Sequence, residues 1–230
     1  MKQNVGFRVF MKVRRPPGET VEKFRGIPSS NINDNLNRLY CMKHEIKPFN
    51  NHFLLGTAIT VKAPMGDNAV LHKALDIARP GDVIVVDGAG ALERALMGEI
   101  MIAYGAGKGI AGFVVDGAIR DADGARNAAI PVYAAGVSPQ GPYKNGPGEV
   151  NVPIACGGQV VFPGDIIVGD QDGIVVIRPE YAEELAGESL AKLAGEEKKL
   201  KQMYQGVIDV EEHRSRYDKI IISRGVQIID

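Results

Sequence analysis

Cysteine is scarce in this chain of 230 residues. Cys41 and Cys156 are too few for a disulfide framework and lack the paired spacing of a zinc site, so both read as reduced thiols. An excess of charge of either sign is also missing. With 27 basic and 28 acidic residues the formal net charge is −1, which leaves no global field to draw the chain to nucleic acid or anionic lipid. No apolar run approaches the ~20 residues that a membrane span needs. Met1 to Val13 is broken by charge too often for the apolar segment of a signal peptide. The expectation is a cytoplasmic protein with neither nucleic acid nor a membrane among its partners.

What is present points to one large domain. Hydrophobic residues make up 45% of the chain, enough for a full core, and 28 glycines with 13 prolines imply many tight turns. The organising stretch is Gly81 to Asp123. Its first part, Gly81 to Asp87, is a β-branched run closed by Gly88-Ala89-Gly90 and predicts a strand buried on both faces. Ala91 to Tyr104 is made mostly of good helix formers, with Gly105 and Gly107 as a stop, and predicts a helix. Gly112 to Gly117 repeats the strand pattern, so the unit reads as strand-helix-strand with parallel strands and a right-handed crossover.

Around it, Glu19 to Phe24 predicts a short helix. Ser29-Ser30-Asn31 offers caps to a surface helix with Ile32, Leu36 and Leu39 on one face. Strands are expected at 56–63, 130–136 and 174–177, a helix at 69–78, and antiparallel hairpins through the glycine- and proline-rich segment 137–163. Pro163-Gly164-Asp165 echoes Pro80-Gly81-Asp82, each opening a β-branched run. Residues 179–205 predict a long charged helix carrying Tyr181, Leu185, Leu193 and Leu200 on one stripe, and Ile220-Ile221-Ile222 suggests one more strand. His72, alone among Leu71, Ala74 and Leu75, reads as a packing or half-exposed residue because no metal-spaced partner accompanies it.

The chemistry should sit where the second parallel strand ends, because open α/β sheets bind ligands at the carboxyl ends of their strands. Arg120 and Asp121 follow that strand directly, with the small residues Gly117, Ala118 and Ala122 leaving room. Arginine grips a carboxylate or enolate with two parallel donors, and aspartate offers a hard oxygen suited to magnesium or manganese. From the dipeptide alone, a surface pair capping the next helix is the better-supported reading. Gly98-Glu99-Ile100-Met101 strengthens the first reading: a glycine inside a strong helix often marks a restart, whose free amides can hold an anion. Gly88-Ala89-Gly90 lacks the third glycine and the lysine of a phosphate loop, which argues against a nucleotide site.

Taken together, Pro80-Gly81-Asp82, the Gly98 to Met101 tetrad, Gly112 to Asp121, Pro139-Gln140-Gly141-Pro142, Pro163-Gly164-Asp165 and Asp172-Gly173 resemble the RraA-like family. So do Asn33-Asp34-Asn35-Leu36 and Gly56 to Val61, and the motifs occur in order over residues 29–180. That family includes 4-hydroxy-4-methyl-2-oxoglutarate aldolases and regulators of ribonuclease activity. The resemblance implies a class II pyruvate aldolase that also decarboxylates oxaloacetate, with a divalent metal, Mg or Mn, and a small 2-oxo acid as substrate. It also implies a homotrimer or a dimer of trimers with sites between subunits. Carried over by position, Asp121 ligates the metal, Arg120 binds substrate and steadies the enolate, and Gly98, Glu99, Ile100 and Met101 line the substrate. Glu99 would orient a metal-bound water as acid and base. The alternative is a non-catalytic protein that binds and inhibits a ribonuclease. The family's older methyltransferase label finds no glycine-rich methyl-donor loop here.

Two positions depart from the family. An acid often stands three residues after the metal aspartate, where this chain has Gly124, with Asp123 one place early. A glutamate borrowed from a neighbour's C-terminal helix could be Glu196 or Glu197. The fold class expected is α/β, a single-domain layered α/β/β sandwich with a central parallel unit and an antiparallel C-terminal half. Residues 1–28 would form an N-terminal arm, 29–180 the RraA-like catalytic domain, and 181–230 a helix and tail packing on the domain or on a neighbouring subunit.

Overall fold

The computed structural model describes residues 4–229. The chain opens with β1 (Phe7–Val9), α1 (Gly18–Glu22), α2 (Ser29–Asn35), β2 (Lys47–Pro48), β3 (Leu54–Lys62) and α3 (Ala69–Ile77). The central elements are β4 (Asp82–Met97), α4 (Glu99–Gly107), β5 (Gly112–Ile119), α5 (Ala122–Arg126) and β6 (Val132–Val137). Then come β7 (Gly148–Val150), β8 (Ile154–Cys156), β9 (Gln159–Val161), β10 (Ile166–Gly169), β11 (Ile174–Ile177), α6 (Ala182–Tyr204) and α7 (Val210–Ile222).

The period-2 geometry of a strand decides how β4 serves two cores at once. Val83 and Val85 enter a cluster with Ala58, Val114 and Tyr133, while Ile84 and Val86 enter another with Ile59, Val61 and Phe113. Helices α3 and α4 cover the second face through Leu71, Leu75 and Ile102. The β8–β9 hairpin covers the first through Ile154, Cys156 and Val161. This is the α/β/β layering expected from the sequence. Strands β3, β4, β5 and β6 run parallel, and the far edge of β3 is taken by β10 and β7, both antiparallel. A third cluster joins Phe24 and Ile27 to Ile166, Val168 and Leu185, so the segment just before α2 is packed into the fold.

Four local expectations need correction. The predicted helix over 91–104 is a strand as far as Met97, and only Glu99–Gly107 is helical. Left-handed backbone at Ala89 and Gly90 makes a bulge that realigns the chain with β5, pairing Ala91 with Gly117 and Ala95 with Ala118. Backbone groups of residues 93–95 are then met by the loop after β6, with Ala95 N–H donating to the Gln140 carbonyl and Ser138 Oγ to that of Glu93. Tertiary pairing thus overrides helix propensity. Second, Ile220-Ile221-Ile222 ends helix α7, which starts on Asp209, whose side chain accepts from Glu212 N–H. Third, Ser29 does not cap α2 but lies within it, its N–H and Oγ both held by Asp170. Fourth, Leu39 lies beyond that helix and is exposed, since Asn37 and Arg38 turn left-handed.

The chain divides into two compact units between Leu190 and Ala191. Ala182, Leu185, Ala186 and Ser189 of α6 are buried in the first unit. The second contains α7, all of whose described residues are at least partly exposed.

Candidate active site

Strand β5 is fully buried along Val114 and Val115 and stops at Ile119, so it delivers Arg120 and Asp121 at its carboxyl end. Arg120 N–H is still fixed, donating to the Met97 carbonyl at the end of β4. Asp121 then adopts φ 57° and ψ 52°, a left-handed conformation that costs a non-glycine residue roughly 1–2 kcal/mol and starts α5. This turn sends the carboxylate back toward the start of α4. There Asp121 Oδ2 accepts from Glu99 N–H at 3.1 Å and lies 3.6 Å from Arg120 Nε.

Gly98 makes the approach possible. Its backbone is extended, at φ −151°, so any residue could adopt it, but a Cβ there would fall on Asp121 Oδ2 and lie 2.9 Å from Arg120 Cγ. The glycine is a space, not a hinge. On the opposite side, a Cβ on Gly141 would meet Arg120 Nη1 at 2.9 Å, so the Pro139-Gln140-Gly141-Pro142 loop lies against the guanidinium. Arg94 secures that loop: it donates to the Gly141 carbonyl and stacks over the Tyr143 ring at 4.0 Å. Asn68, nearly fully buried, braces the site from below by donating to the Leu96 carbonyl at 2.8 Å.

Arg120, Asp121, Gly98 and Glu99, singled out from sequence, therefore come together. The other two tetrad members diverge. Ile100 is 80% exposed, and Met101 buries its side chain in the core. Met101 N–H turns back onto the Gly98 carbonyl at 3.0 Å. The Glu99 side chain folds over α5 against Gly124, and Asp123 is paired with Arg126 instead. The side chains of Arg120 and Asp121 are each 43% exposed, so the site is open to solvent. His72 is exposed, and Gly88-Ala89-Gly90 lies within β4, not at a helix start. Sequence reasoning missed Arg94, because it lay inside the presumed helix; alternation of buried and exposed positions does not mark it either.

The donor set fits a hard divalent ion that keeps most of its water. Among the described residues no group of three or more His, Cys, Asp or Glu side chains could hold an ion. Magnesium, however, is commonly bound through one or two carboxylates plus substrate and water, and Asp121 supplies one at the strand exit.

Residues 29–176 match the family model RraA-like, Aldolase/RraA. The chain is 39% identical over 202 residues to a Halalkalibacterium halodurans protein whose name proposes 4-hydroxy-4-methyl-2-oxoglutarate aldolase activity, covering 87% of this chain and 95% of that one. It is 29% identical to the solved structure of Streptomyces coelicolor RraAS2, described as an unusual member of the RNase ES inhibitor RraA family, with TM-score 0.72 over 82% of this chain and 98% of that one. The RNA-processing inhibitor RraA of Thermus thermophilis matches at 32% identity and TM-score 0.60, over 65% of this chain and 91% of its own. The chain belongs to the RraA-like family.

Proposed function

We propose that this protein is a divalent-metal-dependent carbon–carbon lyase. It releases pyruvate from 4-hydroxy-4-methyl-2-oxoglutarate or a related 4-hydroxy-2-oxo acid, and decarboxylates oxaloacetate. The observation that carries this reading is the convergence of Arg120 and Asp121 with the first residue of α4, made possible by the missing side chain at Gly98. The relative named for aldolase activity supports it.

Arg120 grips the substrate's C1 carboxylate and the adjacent 2-oxo oxygen, the point at which negative charge collects when the C3–C4 bond breaks. Glu99 takes the proton of the C4 hydroxyl as that oxygen becomes a carbonyl, and a proton returned to C3 completes pyruvate. The positive end of α4 favours the anionic substrate. Asp121 would hold magnesium or manganese, which when bound supplies Lewis acidity at the 2-oxo oxygen. We further propose a homotrimer or a dimer of trimers, in which Glu196 or Glu197 completes a neighbour's site. Light scattering that gives a monomer mass rules the assembly out.

The deciding experiment is pyruvate release from both substrates with magnesium, then with chelator. Turnover that is absent, or unchanged by chelator, refutes the lyase. A second reading, inhibition of a ribonuclease by binding, draws on the two RraA structures described as inhibitors. A pull-down with the ribonuclease that recovers no complex removes it.

A further inference from the structure

Glu99 and Gly124 occupy one space. A Cβ built on Gly124 would stand 2.5 Å from Glu99 Cδ, 2.7 Å from Cγ and 2.8 Å from Oε2, distances that no real side chain tolerates. The glycine is not there for its backbone freedom, since it lies in α5 and its φ falls outside the left-handed range. Inside a helix it is a poorer choice than alanine. What it provides is a bare patch of backbone on which the Glu99 side chain lies. Glu99 is otherwise exposed at the first turn of α4, joined to the site by its own N–H on Asp121 Oδ2, and among the described residues its carboxylate makes no hydrogen bond or ion pair.

We propose that Gly124 is a positioning residue whose missing side chain seats the Glu99 carboxylate over α5 and thereby sets the carboxylate's place in the reaction. The inference rests on the lyase reading for its kinetic consequence but not for its geometry. An alanine Cβ at position 124 displaces the Glu99 side chain from the α5 surface, while the substrate contacts of Arg120 stay as they are. The effect therefore falls on turnover and not on binding.

The test is a double-mutant cycle with Gly124→Ala and Glu99→Ala, read by pyruvate release, with crystal structures of wild type and Gly124→Ala. We expect Gly124→Ala to lower kcat ~10- to 100-fold with KM changed less than about threefold, and to melt no lower than wild type. In the Glu99→Ala background the same substitution should cost less than about twofold, because the group it acts through is gone. In the crystal, Glu99 of Gly124→Ala should have left the α5 surface. Losses that multiply in the double variant, an unchanged kcat in active protein, or a Glu99 still lying on α5 would overturn the proposal. If wild type releases no pyruvate, the lyase reading fails by itself and the crystal structures decide the positioning claim.

Discussion

Three of the arginine–aspartate pairs among the described residues use the same two side chains to different ends. Arg15 grips Asp82 through two bonds of 2.7 Å, and Arg178 reaches Asp165 at 3.1 Å while stacking 3.7 Å over the Phe162 ring. Both aspartate side chains are almost completely buried, at 1% and 2% exposure. Each follows a Pro-Gly turn, and the strands they open flank β3, with Asp82 and Ile166 both paired to Thr57. Arg120 and Asp121 are instead 3.6 Å apart and 43% exposed. The buried aspartates spend their hydrogen-bonding capacity on these arginines and on the backbone N–H groups of Arg79 and Phe162, which locks strand ends. The exposed pair is held together by a strained turn and leaves most of its capacity to a ligand.

If that contrast is right, substitutions at the two kinds of pair should fail differently. The largest effect is expected for Asp121→Asn, which should cut pyruvate release by ~10³-fold or more with thermal unfolding unchanged, since asparagine tolerates a left-handed backbone. A fall in Tm comparable to that of a core variant would place Asp121 with the structural pairs. Asp82→Ala is expected to do the opposite. Removing the acceptor of Arg15 and of Arg79 N–H should cost about 2–4 kcal/mol in urea unfolding, while folded protein keeps its turnover. Gly98→Ala comes next. Its Cβ displaces both functional side chains from an unstrained backbone, so activity should drop ~10²-fold with little change in stability.

The smallest effect concerns pH. Burial pushes the Asp165 carboxyl above its ordinary value of 3.8, against the opposing pull of the Phe162 N–H and Arg178. The native state therefore holds this proton more tightly than the unfolded chain, and stability from this group falls as pH rises through the window just above 3.8. Asp165→Asn should flatten that part of the stability profile in urea titrations. A slope equal to wild type would contradict the assignment.

Legibility from sequence followed how local each interaction is. Gly81 to Asp87 announces a doubly buried strand because β-branched residues without a polar face have few other stable places. The placing of Arg120 and Asp121 at a strand exit follows from the same run pattern in Gly112 to Ile119. Ala91 to Met97 was misread because its helix-forming side chains say nothing of the bulge at Ala89 and Gly90, nor of Ser138 and Gln140, more than forty residues on, that claim its backbone. Of Gly98, the sequence reveals a helix interruption but not that two side chains need its missing Cβ.

By itself, then, the amino-acid order determined the alternating layers, the parallel unit and the identity of the guanidinium and carboxylates at its end, since these depend on side-chain period and propensity along one segment. Only tertiary structure decided which glycines are spaces for other residues, where Glu99 lies, and that the end of β4 is a strand. Those outcomes depend on which distant atoms compete for one volume or one hydrogen bond, and no single segment records that competition.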